Sequence, residues 1–477
     1  MKVKIRLPHV FILLTSVIFV CSILTYFINS GEYKRETKQV GTLTRTVVMP
    51  GTYKELPKHI SPIGVIIGDE VKGEASPVSL FGFLSSIPRG MGEAADIIFF
   101  IFMIGGVFGI LQKTGTIMAF IQKLLDIFGN SSALLVIILM LAVAIGASTL
   151  GMGEEFLPLI PLFLIVSKKL GYDRIFGVGI VWLAAEVGFA AATTNPFTVQ
   201  IAQGIAEVPL NSGIGFRLIF FGVTLIVTII FLLRYGAKVK KDPSKSVMPD
   251  DDFSLSDISF EKVKFTKEHL MVMIMGIGLF VFIIFAVQEL NWWINEMAGA
   301  FFLMGILAVI ISRMSLVDAS EAFVRGMKEM VVAALVVGFA RGVQVVLQDG
   351  LILDTIIHSA ADSLQNFHEF VAAGGMLVFQ TTLNFFIPSG SGQAAVTMPL
   401  MAPLSDLIGI TRQTAVFAFT CGDGFSNMII PTSGILMAVL SLAKVPYVKW
   451  VKFVLPIFII CMVLSFIFLF IAVAINY

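Results

Sequence analysis

Four carboxylates stand where carboxylates are expensive. Glu154, Glu155, Glu186 and Asp423 interrupt long apolar runs, and ionisable groups inside lipid-spanning segments mark ion or substrate pathways. Hydroxyls and amides cluster beside them. Ser148 and Thr149 precede Gly151-Met152-Gly153-Glu154-Glu155, and Thr194 and Asn195 precede Pro196. Ser389, Ser391 and Gln393 lie in Pro388-Ser389-Gly390-Ser391-Gly392-Gln393, while Asn427, Thr432 and Ser433 follow Asp423. Such residues break helices and free backbone polar groups. At membrane depth a break survives only when it is buried in protein or lines a cavity. Helix N-termini at such breaks can hold a carboxylate, and freed carbonyls can hold a cation. Ser148, Thr149, Glu154, Thr194, Asn195, Ser389, Ser391, Gln393, Asn427, Thr432 and Ser433 are therefore candidate substrate ligands. Glu155, Glu186 and Asp423 are candidates for a coupling ion, Na+ or H+, or for a substrate ammonium.

Each feature alone has a plainer explanation. Ser and Gly allow close helix packing, local hydroxyls satisfy a proline kink, and the acids could pair with the embedded Arg341. Their recurrence in two halves of the chain favours a site.

The composition sets the class. The 477 residues are 57% apolar and 14% charged, with a mean hydropathy of +0.93, whereas soluble domains run near ~25% charged. The expected fold is an all-α polytopic membrane protein, since a membrane β-barrel would show short alternating segments. A net charge of +1 carries no nucleic-acid footprint. Cys21, Cys421 and Cys461 lie in apolar runs without a CxxC spacing. The histidines do not cluster and HExxH is absent, so neither an enzyme nor a metal centre beyond a Na+ site is expected. The absence of GxxxxGK[ST] argues against ATP drive, and no ring-type channel filter stands out.

In chain order, residues 1–30 read as an uncleaved first span behind Lys2, Lys4 and Arg6. Residues 31–92 read as an extracytoplasmic loop. Residues 93–235 form a first repeat, with a re-entrant hairpin over 132–170 and a broken helix over 175–206. A charged loop at 236–268, Lys-rich at its start, marks the cytoplasm. Two linking spans occupy 269–312. A second repeat over 328–477 carries a hairpin at 370–408 and a broken helix at 412–443. The reading gives about nine spans plus two opposed re-entrant hairpins, with the N-terminus cytoplasmic and the C-terminus extracytoplasmic.

The halves match at a nearly constant offset of 236 to 238 residues: Leu111-Gln112 with Leu347-Gln348, Pro161 with Pro399, Gly171 with Gly409, and Thr194-Asn195-Pro196 with Thr432-Ser433-Gly434. Each repeat has three full spans and two more separate the halves, so the second repeat starts on the opposite side from the first and the repeats are inverted. Corresponding breaks in inverted halves point to a transport site near the midplane.

Four long motifs, GMGEEFLPLIP, ATTNPFTVQIAQG, IPSGSGQAAVTMPLMAPLSD and CGDGFSNMIIPTSG, resemble the C4-dicarboxylate anaerobic carrier family, especially its YfcC-like branch. More distantly the chain is similar to the AbgT and divalent-anion/sodium symporter groups. The resemblance implies opposed hairpins, broken helices, a homodimer in the cell membrane and an elevator-type motion. Branch members are often described as basic amino acid antiporters and others as dicarboxylate carriers. A site richer in acids than bases suits an amino acid, as in arginine/ornithine exchange. The alternative is a Na+- or H+-coupled carrier of a C4 dicarboxylate or other small carboxylate.

Overall fold

The computed structural model describes residues 9–40, 43–128, 131–251, 253, 264–290 and 292–477. Lys2, Lys4 and Arg6 lie outside the described residues, as does most of the charged stretch after residue 253.

Helix α1 (Val10–Phe27) leads into four short strands, β1 (Ser30–Glu32), β2 (Arg35–Val40), β3 (Leu43–Val48) and β4 (Lys54–Leu56), which pair antiparallel as β1–β4 and β2–β3. Then come α2 (Pro62–Ile67), α3 (Leu80–Glu93), α4 (Ala95–Lys113), α5 (Thr116–Phe128) and α6 (Ser132–Leu150). A 3-10 turn over Glu154–Leu159 precedes α7 (Ile160–Lys169), α8 (Arg174–Ala190), α9 (Val199–Ile205) and α10 (Ile214–Lys241). Helices α11 (Lys267–Glu289) and α12 (Ile294–Ser312) link the halves. The second half contains α13 (Leu316–Glu329), α14 (Val331–Asp349), α15 (Leu353–Leu364), α16 (Glu369–Asn384), α17 (Gly390–Ile408), α18 (Arg412–Ser426), α19 (Gly434–Leu442) and α20 (Tyr447–Ala474).

The repeat is longer than the sequence offset alone reveals. Helices α3 and α13 begin 236 residues apart, and both ends of α4 and α14 keep that spacing. The same spacing thus reaches back to residues 80 and 316, ahead of 93 and 328. Residues 80–93, expected within an extracytoplasmic loop, form α3, which packs lengthwise on α14. Glycines permit the contact: a Cβ on Gly90 would stand 2.6 Å from the Gly342 nitrogen.

Local chemistry sets the element ends. Helix α6 stops at Gly151, whose φ of 69° is left-handed and favours glycine. Asp173 caps α8, Ser389 caps α17, Thr411 caps α18 and Ser433 caps α19, each accepting a backbone N–H with its side chain.

Among the described residues, eight helices are long and apolar enough to cross a membrane: α1, α4, α6, α10, α11, α12, α14 and α20. After α6 the chain turns at residues 151–154 and α7 leads it back. A contact of 3.3 Å between the Ser132 and Tyr172 hydroxyls closes the base of this hairpin. Helices α16 and α17 form the second hairpin, with the base of α17 against β3 on the strand-bearing face. The broken helices α8/α9 and α18/α19 run in opposite directions. Arg174, opening α8, donates to the Ala443 carbonyl just past α19 at 2.9 Å. Arg412, opening α18, donates to the Ala206 carbonyl just past α9, also at 2.9 Å. The chain is an all-α, multi-pass membrane protein with a small strand-built appendage.

The helices sort into two groups. One, a buttress, joins α1, α3, α4 and α11 to α14. The other joins both hairpins and both broken helices with α10 and α20. The groups meet chiefly where α14 packs on α19 and α4 packs on the 3-10 turn.

Candidate functional site

The two half-helices α8 and α18 cross where Gly424 meets Ala190. A Cβ on Gly424 would stand 2.3 Å from the Ala190 Cα. Glu186 lies one turn before Ala190, and Asp423 adjoins Gly424, so this crossing gathers two carboxylates at the centre of the hairpin group. Both are buried, at 5% and 1% exposure. Glu186 Oε2 and both Asp423 carboxylate oxygens have no hydrogen-bond partner among the described residues.

In front of the crossing lies a cavity of about 190 Å³. The first hairpin tip contributes Gly153, Glu154 and Glu155, and α8 contributes Glu186. The second tip contributes Pro388, Ser389, Gly390 and Ser391, and the second break contributes Asn427, Thr432 and Ser433. Glu155 accepts from the Gly153 N–H at 2.9 Å, which folds the tip on itself. Helices α17 and α19 both start at the cavity and turn the positive ends of their dipoles towards it. Thr432 is fully buried and its hydroxyl has no partner among the described residues.

The remaining candidates do not line this cavity. Ser148 and Thr193 are joined hydroxyl to hydroxyl at 3.0 Å, and the Thr193 N–H donates to both Ser148 Oγ and Ser148 O. Ser148 thus binds the hairpin to the first break. Thr149 turns its hydroxyl back onto the Ile145 carbonyl at 2.8 Å, the usual retreat of a helical threonine. Its own carbonyl accepts from Gln288. The Thr194 carbonyl accepts from Gln200 at 3.1 Å. Asn195 is fully buried and its Oδ1 accepts the Phe197 N–H, which shapes the break rather than the cavity. Gln393 is fully buried and donates to Gln380 in the facing arm of its own hairpin. Asp423 sits behind the tip, where a Cβ on Gly390 would come within 3.1 Å of Asp423 Oδ2. The common reason is geometric. A polar residue at a helix break faces either the cavity or the joint that supports the break, and spacing alone does not distinguish them.

Three residues escaped the sequence reading. Asn384 ends α16 and donates to the Asp423 carbonyl (2.7 Å), Ser426 Oγ (2.8 Å) and Asn427 Oδ1 (2.8 Å). The repeat offset was its signal, because Asn384 lies 236 positions after Ser148. Arg217 is the second embedded cation. It is 1% exposed, reaches Ala192 O (3.4 Å) and Thr420 Oγ1 (3.2 Å), and lies over the Phe417 ring. Its place near the start of an uninterrupted apolar helix gave no periodic clue. Gln344 lines the cavity beside Arg341, on the buttress side. The plainer alternative for the acids, pairing with Arg341, is not what the fold shows. Arg341 instead donates to Gln344 Oε1 at 2.5 Å and makes no ion pair among the described residues.

The sequence profile of the C4-dicarboxylate anaerobic carriers (DcuC) matches residues 7–474. The chain belongs to the C4-dicarboxylate anaerobic carrier family. Within reach of that family is an Escherichia coli (strain K12) protein named "Putative basic amino acid antiporter YfcC". It is 35% identical over 472 residues, covering 94% of this chain and 92% of that protein. An uncharacterized protein of Haemophilus influenzae is 31% identical over 422 residues, covering 87% of this chain and 79% of its own length. Among solved structures, the Alcanivorax borkumensis YdaH transporter aligns with a TM-score of 0.47 at 15% identity, over 98% of this chain and 99% of that one. As a member of this carrier family the chain is a membrane transporter rather than an enzyme. Its substrate is a small molecule and its medium is the lipid bilayer.

Proposed function

We propose that this carrier exchanges amino acids across the cell membrane, with basic ones such as arginine and ornithine as its substrates. One observation carries the reading: three carboxylates, Glu154, Glu155 and Glu186, line one small cavity together with a single guanidinium, Arg341, and two helix N-termini. That arrangement complements a solute with one carboxylate and two cationic groups. The printed name of the 35%-identical relative agrees. The buried Asp423, behind the tip, holds the coupling H+ or Na+ rather than the substrate ammonium. The hairpin group moves past the buttress in an elevator-type step, and the division of the helices into two groups supports this. Lys168, Lys169, Lys238, Lys240, Lys241 and Lys449 share the face at the base of the first hairpin, so that face and the N-terminus are cytoplasmic. The working unit is a homodimer.

The test is counterflow in proteoliposomes. Vesicles loaded with ornithine should accumulate labelled arginine. If neither arginine nor ornithine is taken up by exchange or under a cation gradient, the proposal fails. A second reading, cation-coupled uptake of a C4 dicarboxylate, is favoured by Arg341 and the N-termini of α17 and α19. Succinate counterflow without arginine counterflow would select it.

A further inference from the structure

The cavity wall belongs to two bodies, and its charges are divided between them. Glu154, Glu155 and Glu186 ride on the hairpin group. Arg341 stands on α14, in the buttress. Gln344, one turn on, also lines the cavity and accepts from Arg341 Nη1 at 2.5 Å. This bond lies along the helix face and holds the guanidinium in place. A guanidinium has five N–H donors, and among the described residues Arg341 makes this one hydrogen bond and no ion pair. A cation at membrane depth needs an anionic or dipolar partner. From the protein Arg341 takes one neutral acceptor, Gln344, and feels the charge of Glu93 without an ion pair, so most of its fork is left for a partner in the cavity. A carboxylate, which matches the guanidinium fork with two parallel bonds, fills that need.

The division between bodies adds a consequence. A ligand on the moving body stays with the substrate throughout the cycle. A ligand on the buttress meets it in only one state. We propose that Arg341 is the carboxylate-reading specificity residue of this carrier and that it reads from one side of the membrane only. It grips the substrate carboxylate in the arrangement described here and loses it when the hairpin group moves. Selection for a carboxylate is thereby exerted on one face, while Glu154, Glu155 and Glu186 serve both. The inference rests on the transport reading above, and on the motion of the hairpin group in particular.

The experiment uses the full-length chain in right-side-out and inside-out vesicles, with arginine as substrate. Its decarboxylated counterpart, 4-guanidinobutylamine, serves as competitor. R341Q should raise KM for arginine by at least about tenfold from one face, the loss expected for a charge-assisted hydrogen bond of about 1.5 kcal/mol or more. From the other face KM should stay within about twofold, and inhibition by the amine should be unchanged on both. Q344L, which frees the guanidinium without removing it, should shift KM in the same direction on the same face by less, and it carries the test should R341Q not fold. Equal KM changes on both faces overturn the one-sided grip. Equal loss of arginine and amine binding overturns the carboxylate assignment. A wild type that exchanges arginine while both variants keep its KM sinks this inference alone. A wild type that moves none of the tested solutes sinks the transport reading itself.

Discussion

Ser148 and Asn384 stand 236 positions apart and hold matching joints. Each lies near the inner end of the first arm of its hairpin, and each grips the place where the broken helix of its own repeat comes undone. The chemistry differs. Ser148 offers acceptors to the N–H groups of Thr193 and Thr194, whereas Asn384 donates to Asp423 O, Ser426 Oγ and Asn427 Oδ1. The same mechanical need, fixing a helix end that no ladder continues, is met once by acceptors and once by a donor.

The two joints should differ in strength. Asn384→Leu keeps the bulk but strips three acceptors of their shared donor, a loss of about 2 kcal/mol. Ser148→Ala should cost about 1 kcal/mol or less, because Ser148 O still accepts from Thr193 and Thr194. Thermal melting in detergent should rank wild type above S148A above N384L. An N384L protein that melts with S148A would refute the ranking.

Asp423→Asn should leave the fold intact, since the carboxylate oxygens take no hydrogen bond from the described residues and the amide has nearly the same shape. Substrate-induced stabilisation should persist, because Asp423 stands behind Gly390 rather than in the cavity. Exchange should fall at least about tenfold, the equivalent of about 1.4 kcal/mol, and lose its response to a cation gradient. Loss of the substrate-dependent melting shift would place Asp423 among the substrate ligands instead.

Two glycines separate motion from stability. A Cβ on Gly422 would lie 2.6 Å from Gln380 Cβ and 2.9 Å from the Thr381 nitrogen, inside the hairpin group. G422A should therefore lower the melting temperature through overpacking of about 1–3 kcal/mol. A Cβ on Gly434 would lie 2.8 Å from Val337 Cα, where α19 meets α14 across the two bodies. G434A should slow exchange more than it lowers melting. Identical profiles for the two variants would count against a sliding surface at α14–α19.

Acid should release one strut. Glu207 binds Lys38 of β2 at 2.7 Å and Arg412 of α18 at 3.2 Å. The Lys38 hydrogen bond and charge, then Arg412, hold its carboxyl below the usual range. A carboxylate whose pKa is lower when folded adds stability above the unfolded value of about 4.3 and loses it as pH falls through the folded value. The melting gap between wild type and E207Q should thus stay constant from about pH 7 to 5 and close below about pH 4. A gap that widens in acid would reverse the sign and refute the assignment.

The sequence by itself determined the class, the duplication and the places where helices break. Hydropathy fixes spans because lipid offers no partner for a free backbone group. The glycine–proline–hydroxyl clusters announce breaks because those residues disfavour continuous helix. The caps at Asp173, Ser389, Thr411 and Ser433 became visible only in the folded chain. Tertiary structure alone decided which polar residues at a break face the cavity and which serve the joint, because that depends on how two half-helices cross. Glu186 reaches the cavity while Asp423 stays behind Gly390, although the two occupy near-equivalent repeat positions. Only the folded helices showed that α3 and α13 keep the 236-residue spacing. Only the third dimension set Arg341, distant in sequence from every break, across the cavity from the acids. Local residue type fixes whether the chain breaks, and the arrangement of distant segments fixes what each break faces.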